Sequence, residues 1–133
     1  MNRLAVKVIE ENGKSFQLIV DGTPLSDLLN DGNDAIPYWI VEDDLPYFPP
    51  YGNSESDNIR IVTVCDCGEY GCGHSHCRVT KTDDTVIFDQ FQCDTHKEPD
   101  STCFVFSRSN YDEVVSLIVF ETKKEKRRTM TST

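Results

Sequence analysis

At 133 residues and a formal charge of -10, the chain is long enough for one hydrophobic core and short for two. Its hydrophobic fraction of 38% is gathered into short runs, which argues for a globular core over disorder, and no run reaches the length that spans a bilayer. The negative balance repels phosphate backbones, so nucleic acid is a poor partner and a basic protein a better one.

The N-terminal MNRLAVKVIEENGK has neither the long apolar segment nor the small-residue cleavage site of a secretory signal. That predicts a cytoplasmic chain with reduced thiols. LAVKVIE and SFQLIV, within residues 4–20, read as a hairpin turned by Glu11-Asn12-Gly13-Lys14, because Asn-Gly supplies the positive φ of a tight turn. Asp21-Gly22 turns the chain again. Thr23 is then placed to cap a short helix with Pro24 in its first position, where the missing N–H costs nothing. Leu25, Leu28 and Leu29 form its apolar face, and Asp31-Gly32 ends it.

Residues 33–58 read as loop apart from a short strand at YWIV, residues 38–41, because Pro37, Pro46, Pro49 and Pro50 oppose longer regular structure. Between Lys14 and Arg60 there is no basic residue, while Asp27, Asp31, Asp34, Glu42, Asp43 and Asp44 fall there. This acidic stretch is the candidate docking surface. The aromatics Tyr38, Trp39, Tyr47, Phe48 and Tyr51 offer a second, as a binding lip, or else cover an edge of the core.

IRIVTVC, residues 59–65, predicts a strand with Ile59, Ile61, Thr63 and Cys65 on one face. CRVTK and TVIFDQF predict two more, joined by Thr82-Asp83-Asp84, and TCFVFS another. Ser109 is placed to cap a final helix with Asp112 and Glu113 in its first turn. Tyr111, Val114, Val115 and Ile118 recur at helical spacing, so that face packs on the sheet. The expected fold is α+β: a mainly antiparallel sheet, one short helix, and a C-terminal helix packed on the sheet. Residues 1–122 form the single domain and 123–133 a tail carrying Lys123, Lys124, Lys126, Arg127 and Arg128 against Glu125 alone.

The order VDG at 20–22, CDCGEYGC at 65–72, FDQF at 88–91 with His96 nearby, and FVFSRSNYDEVVSL at 104–117 resembles a family of small, uncharacterised bacterial proteins. The family's Pro-His-Arg element is Thr95-His96-Lys97 here, so only the histidine carries over. The resemblance implies a shared site and no particular activity.

VCDCGEYGCGHSHC, residues 64–77, gathers four of the six cysteines and two of the three histidines. Zinc needs four thiolate or imidazole ligands in a tetrahedron. Cys65 and Cys67 point to one side of a strand end, and Gly68 and Gly71 let the chain fold back to bring Cys72 near them. His96, in the loop after the next hairpin, completes the set Cys65, Cys67, Cys72 and His96. Cys77, Cys93, His74 and His76 are reserve ligands, and a second arrangement joins Cys72, His74 or His76, and Cys77 on a tight turn. Cys103 reads as a small buried core residue.

Four protein ligands leave no open position for activated water, so the zinc is structural. No phosphate loop, paired-histidine protease motif or nucleophile elbow is present. The expected function is a zinc-stabilised binding protein without catalytic activity, in one version an immunity or inhibitor protein for a basic partner. The alternative is a thiol oxidoreductase or redox sensor using Cys65, Cys67 and Cys72. Asp66 and Glu69 oppose the thiolate that this alternative needs.

Overall fold

A computed structural model of the chain describes residues 1–10, 14–30, 35–38, 59–64, 74–93 and 102–131. Strands β1 (Leu4–Glu10) and β2 (Lys14–Val20) pair antiparallel from Leu4↔Val20 to Glu10↔Lys14. Alternation sends Phe16, Leu18 and Val20 inward, and the same period brings Lys14 onto that face at 4% exposure. Lys14 is therefore a buried strand residue and not part of the turn. Residues 11–13 of the expected turn lie outside the described residues.

Asp21 and Gly22 both have positive φ, 52° and 85°. This is the backbone that a tight two-residue hairpin demands, and an open site around Gly22 would not relieve the strain of a side chain there. The Asp21 carboxylate accepts hydrogen bonds from the Asn2 amide (2.7 Å) and the Arg3 N–H (2.8 Å). Those bonds hold its pKa below the usual carboxylate range.

Thr23 does not cap the first helix. Thr23–Pro24 is instead a short edge strand, β3, paired back on β2, and Pro24 is the N-cap of α1 (Leu25–Leu29) with no side-chain cap bond. Leu25 and Leu29 are buried while Leu28 is 44% exposed, because positions four apart share a face and the third leucine falls beside it. Asn30 ends the helix one residue before the expected Asp31-Gly32. Its left-handed φ of 53° lets its N–H bond back to the Asp27 carbonyl. Strand β4 (Ile36–Pro37) pairs with β2 on the edge, where a proline is tolerated, and residues 39–41 of the strand expected at 38–41 lie outside the described residues.

The second sheet has the order β5-β6-β7-β8: β5 (Ile59–Val64), β6 (His74–Lys81), β7 (Thr85–Cys93) and β8 (Cys103–Ser107), all antiparallel. Ile61, Val62, Thr63 and Val64 are all buried, so the single inward face expected for β5 is replaced by burial on both. The reason is that β5 lies against β2, β4 and α1 of the first sheet on its far side. Asn2 ties the two sheets together: its N–H donates to the Val105 carbonyl (2.7 Å) and its Oδ1 accepts from the Val105 N–H (2.9 Å).

Helix α2 (Arg108–Thr131) crosses both sheets, touching β1, β2, β7 and β8. Ser107, not Ser109, caps it, accepting the Asn110 N–H at 3.1 Å. Tyr111, Val114 and Ile118 are buried as their spacing predicts, and Val115 packs beside them. The inward stripe then continues as Thr122 and Glu125, at 0% and 1% exposure. The Asn110 side chain accepts the Leu4 N–H (2.7 Å) and donates to the Leu4 carbonyl (2.9 Å), serving β1 as a strand would. The fold is thus α+β and mainly antiparallel, with one core beneath α2. Among the described residues no helix is long and apolar enough to cross a membrane.

Candidate functional site

The site is framed by strand ends. Val64, the last residue of β5, pairs with His74, the first of β6, and Ser75 pairs with Cys93, the last of β7. Neighbouring strands lie about 4.8 Å apart, so the three ends span roughly 10 Å. Segments 65–73 and 94–101 therefore both leave the sheet at this one end. Cys65, Cys67, Cys72 and His96 belong to those segments and lie outside the described residues.

Both strand pairings slip next to this end. One irregularity leaves Val62 between the pairs Ile61↔His76 and Thr63↔Ser75. The other sets Gln90 and Phe91 of β7 against Cys77 alone, between His76↔Gln92 and Arg78↔Asp89. Gln90 takes a positive φ of 54°, the conformation that lets one strand carry the extra residue. Bulges re-aim side chains, and here Ser75, His76 and Cys77 are all buried in succession where a regular half-exposed strand would alternate.

Arg78 and Asp89 close the bulged segment. Arg78 Nε donates to Asp89 Oδ1 at 3.0 Å and its Nη2 to Oδ2 at 2.8 Å, a two-pronged contact between directly paired residues. The hydrogen bonds, and then the charge of Asp89, raise the Arg78 pKa. Cys77, 0% exposed in the core cluster, has its thiol pushed well up by burial and secondarily by the Asp89 charge. It packs as a neutral thiol.

The reserve ligands separate accordingly. His74 and Cys93 occupy the strand ends themselves. His76 and Cys77 are successive buried residues of β6, and Cys72, which the tight-turn arrangement would join to Cys77 and to His74 or His76, lies outside the described residues. Cys103, expected in the core, is exposed at the start of β8. It sits at the strand's open end, before the inward-facing Phe104 and Phe106. Among the described residues no group of three or more His, Cys, Asp or Glu can hold a metal ion. The bulge at Gln90 and the Arg78–Asp89 fork were not anticipated from sequence. Their one visible signal was the polar pair Asp89-Gln90 interrupting an apolar run.

Cys77 and Cys103 should differ in reactivity. Iodoacetamide at neutral pH is expected to modify Cys103 in the folded protein and Cys77 only after denaturation, because attack needs an accessible thiolate. Peptide mapping by mass spectrometry reads both sites, and rapid native labelling of Cys77 would contradict its placement.

Comparison of the chain with protein-family models, with curated proteins and with solved structures gives no match. The family resemblance rests on the quoted motifs alone.

Proposed function

We propose that the chain is a small zinc-stabilised binding protein with no catalytic role, its metal held by Cys65, Cys67, Cys72 and His96. The observation that supports this reading is the convergence of β5, β6 and β7: the segments carrying all four residues start from adjacent strand ends. A tetrahedral ion there ties the β5–β6 connection to the segment after β7 and closes a long loop, where a cross-link stabilises most. Thiolate ligands need a reducing compartment, which makes the cytosol the working location. The acidic stretch between Lys14 and Arg60 then serves as the docking surface for a basic protein, through charge complementarity.

Metal binding and folding are coupled when the ligands come from separate segments. Cys67→Ser and Cys72→Ser are expected to lower zinc content and the thermal midpoint together. Cys103→Ala, at an exposed position, is expected to leave both unchanged. Retention of full zinc by Cys72→Ser alongside its loss in Cys103→Ala would reverse the assignment.

A further inference from the structure

Helix α2 buries one face and leaves another open. Leu117 and Phe120 are 40% and 56% exposed, large apolar side chains one turn apart on the solvent side. They lie on a stripe with Glu113 before them and Lys124 after them, all four exposed. Steps of four, three and four keep these residues on one line of a helix, the spacing of a coiled-coil seam. Beside the stripe runs a groove of about 320 Å³ lined by Val115, Ser116, Val119, Phe120 and Lys123.

The stripe reads acidic, apolar, apolar, basic along the helix, and that order is complementary to its own reverse. We infer that this face docks a second copy of the chain, with the two α2 helices antiparallel about a two-fold axis passing between residues 118 and 119. The axis sets Leu117 of each copy against Phe120 of the other, with the groove beside Phe120 receiving the incoming leucine. It also sets Glu113 of each copy against Lys124 of the other, so both ends of the seam carry opposite charges. A parallel pairing would put Glu113 on Glu113 and Lys124 on Lys124, which is repulsive. Two-fold pairing uses one patch twice, and a patch matching its own reverse is what such an interface requires. An apolar centre with a charged rim is also the usual composition of a specific contact. This inference is independent of the zinc reading, which concerns the meeting ends of β5, β6 and β7.

Sedimentation equilibrium of the full chain over a wide concentration range tests it. The expected result is a reversible monomer–dimer equilibrium. Glu113→Lys or Lys124→Glu alone should raise the dimer Kd on the order of tenfold or more, since each creates two like-charge contacts. An equimolar mixture of the two variants should recover the wild-type affinity, because the mixed dimer restores both opposite-charge pairs. Leu117→Asp combined with Phe120→Asp should leave only monomer, with an unchanged far-ultraviolet circular dichroism spectrum. The charge variants decide the matter even where that double variant is poorly folded. A chain that stays monomeric throughout, a dimer indifferent to the charge reversals, or a mixture that fails to recover overturns the inference.

Discussion

Lys14→Ala is expected to destabilise the protein by about 3–5 kcal/mol, the usual cost of removing one partner from a buried ion pair. The Lys14 ammonium donates to the Glu121 carboxylate, and the two side chains are only 5% and 17% exposed. Glu10 lies 3.8 Å away but is 68% exposed, so water screens it and it cannot replace Glu121. Glu125, 1% exposed, lies one helical turn beyond Glu121. Loss of the lysine therefore leaves a largely buried carboxylate without its cation, beside a second buried carboxyl group. The double replacement Lys14→Met with Glu121→Leu removes both charges and should recover most of the loss, since buried pairs often exchange for apolar residues at little cost. Urea denaturation of the three proteins checks this. A loss below about 1 kcal/mol for Lys14→Ala would mean that the pair is screened as an exposed one is.

Phe88→Ala should cost a similar amount, about 3–5 kcal/mol, by a different mechanism. Phe88 is fully buried in β7 and joins the second sheet to the helix above it. Its ring meets Phe106 edge-on at 5.0 Å and Tyr111 at 6.2 Å, with interplanar angles of 78° and 86°. Removing the ring opens a cavity and also loses edge-to-face contacts worth about 0.5–1.5 kcal/mol each. Lys81 Nζ sits over the Tyr111 ring, 5.4 Å from its centroid, a cation–π contact that holds the ring where it is. The change should appear as a lower denaturant midpoint at constant slope. A loss under about 1.5 kcal/mol would show that the core collapses around the gap.

Much of this fold was legible because its signals are local. Alternation along SFQLIV, the Asp21-Gly22 turn and the helical spacing of Tyr111, Val114 and Ile118 each depend on a few neighbouring residues. The misplacements arose where a distant element decided the outcome. Lys14 lies at the end of a strand whose inward register is fixed, and burial becomes tolerable only because Glu121, far along the chain, meets it. Thr23 lost the capping role because it pairs with Val20 in an edge strand. Ser107 took the cap of the last helix because β8 runs straight into it, so the helix begins two residues earlier than Ser109 implied. Val62 and Val64 are buried on what an isolated strand would expose, because the first sheet covers β5 from behind.

The candidate site divides the same way. Which residues bear soft ligand atoms is plain in the cysteine-rich stretch. That their segments share one end of the sheet follows from strand order and register, which are long-range properties. The bulge at Gln90 had only the polar pair Asp89-Gln90 to mark it, because a positive φ at a glutamine carries no glycine or asparagine to announce it.

The central claim is that a metal closes the end of the sheet where β5, β6 and β7 meet, and its most direct test is elemental analysis of the untagged protein purified under reducing conditions. The account predicts about one zinc per chain, since one complete four-ligand set is available. Removing that zinc with a chelator should lower the thermal midpoint, because the metal's binding energy is part of the folding energy. Protein that is folded and metal-free as purified, with all six cysteines titrating as free thiols, would contradict it.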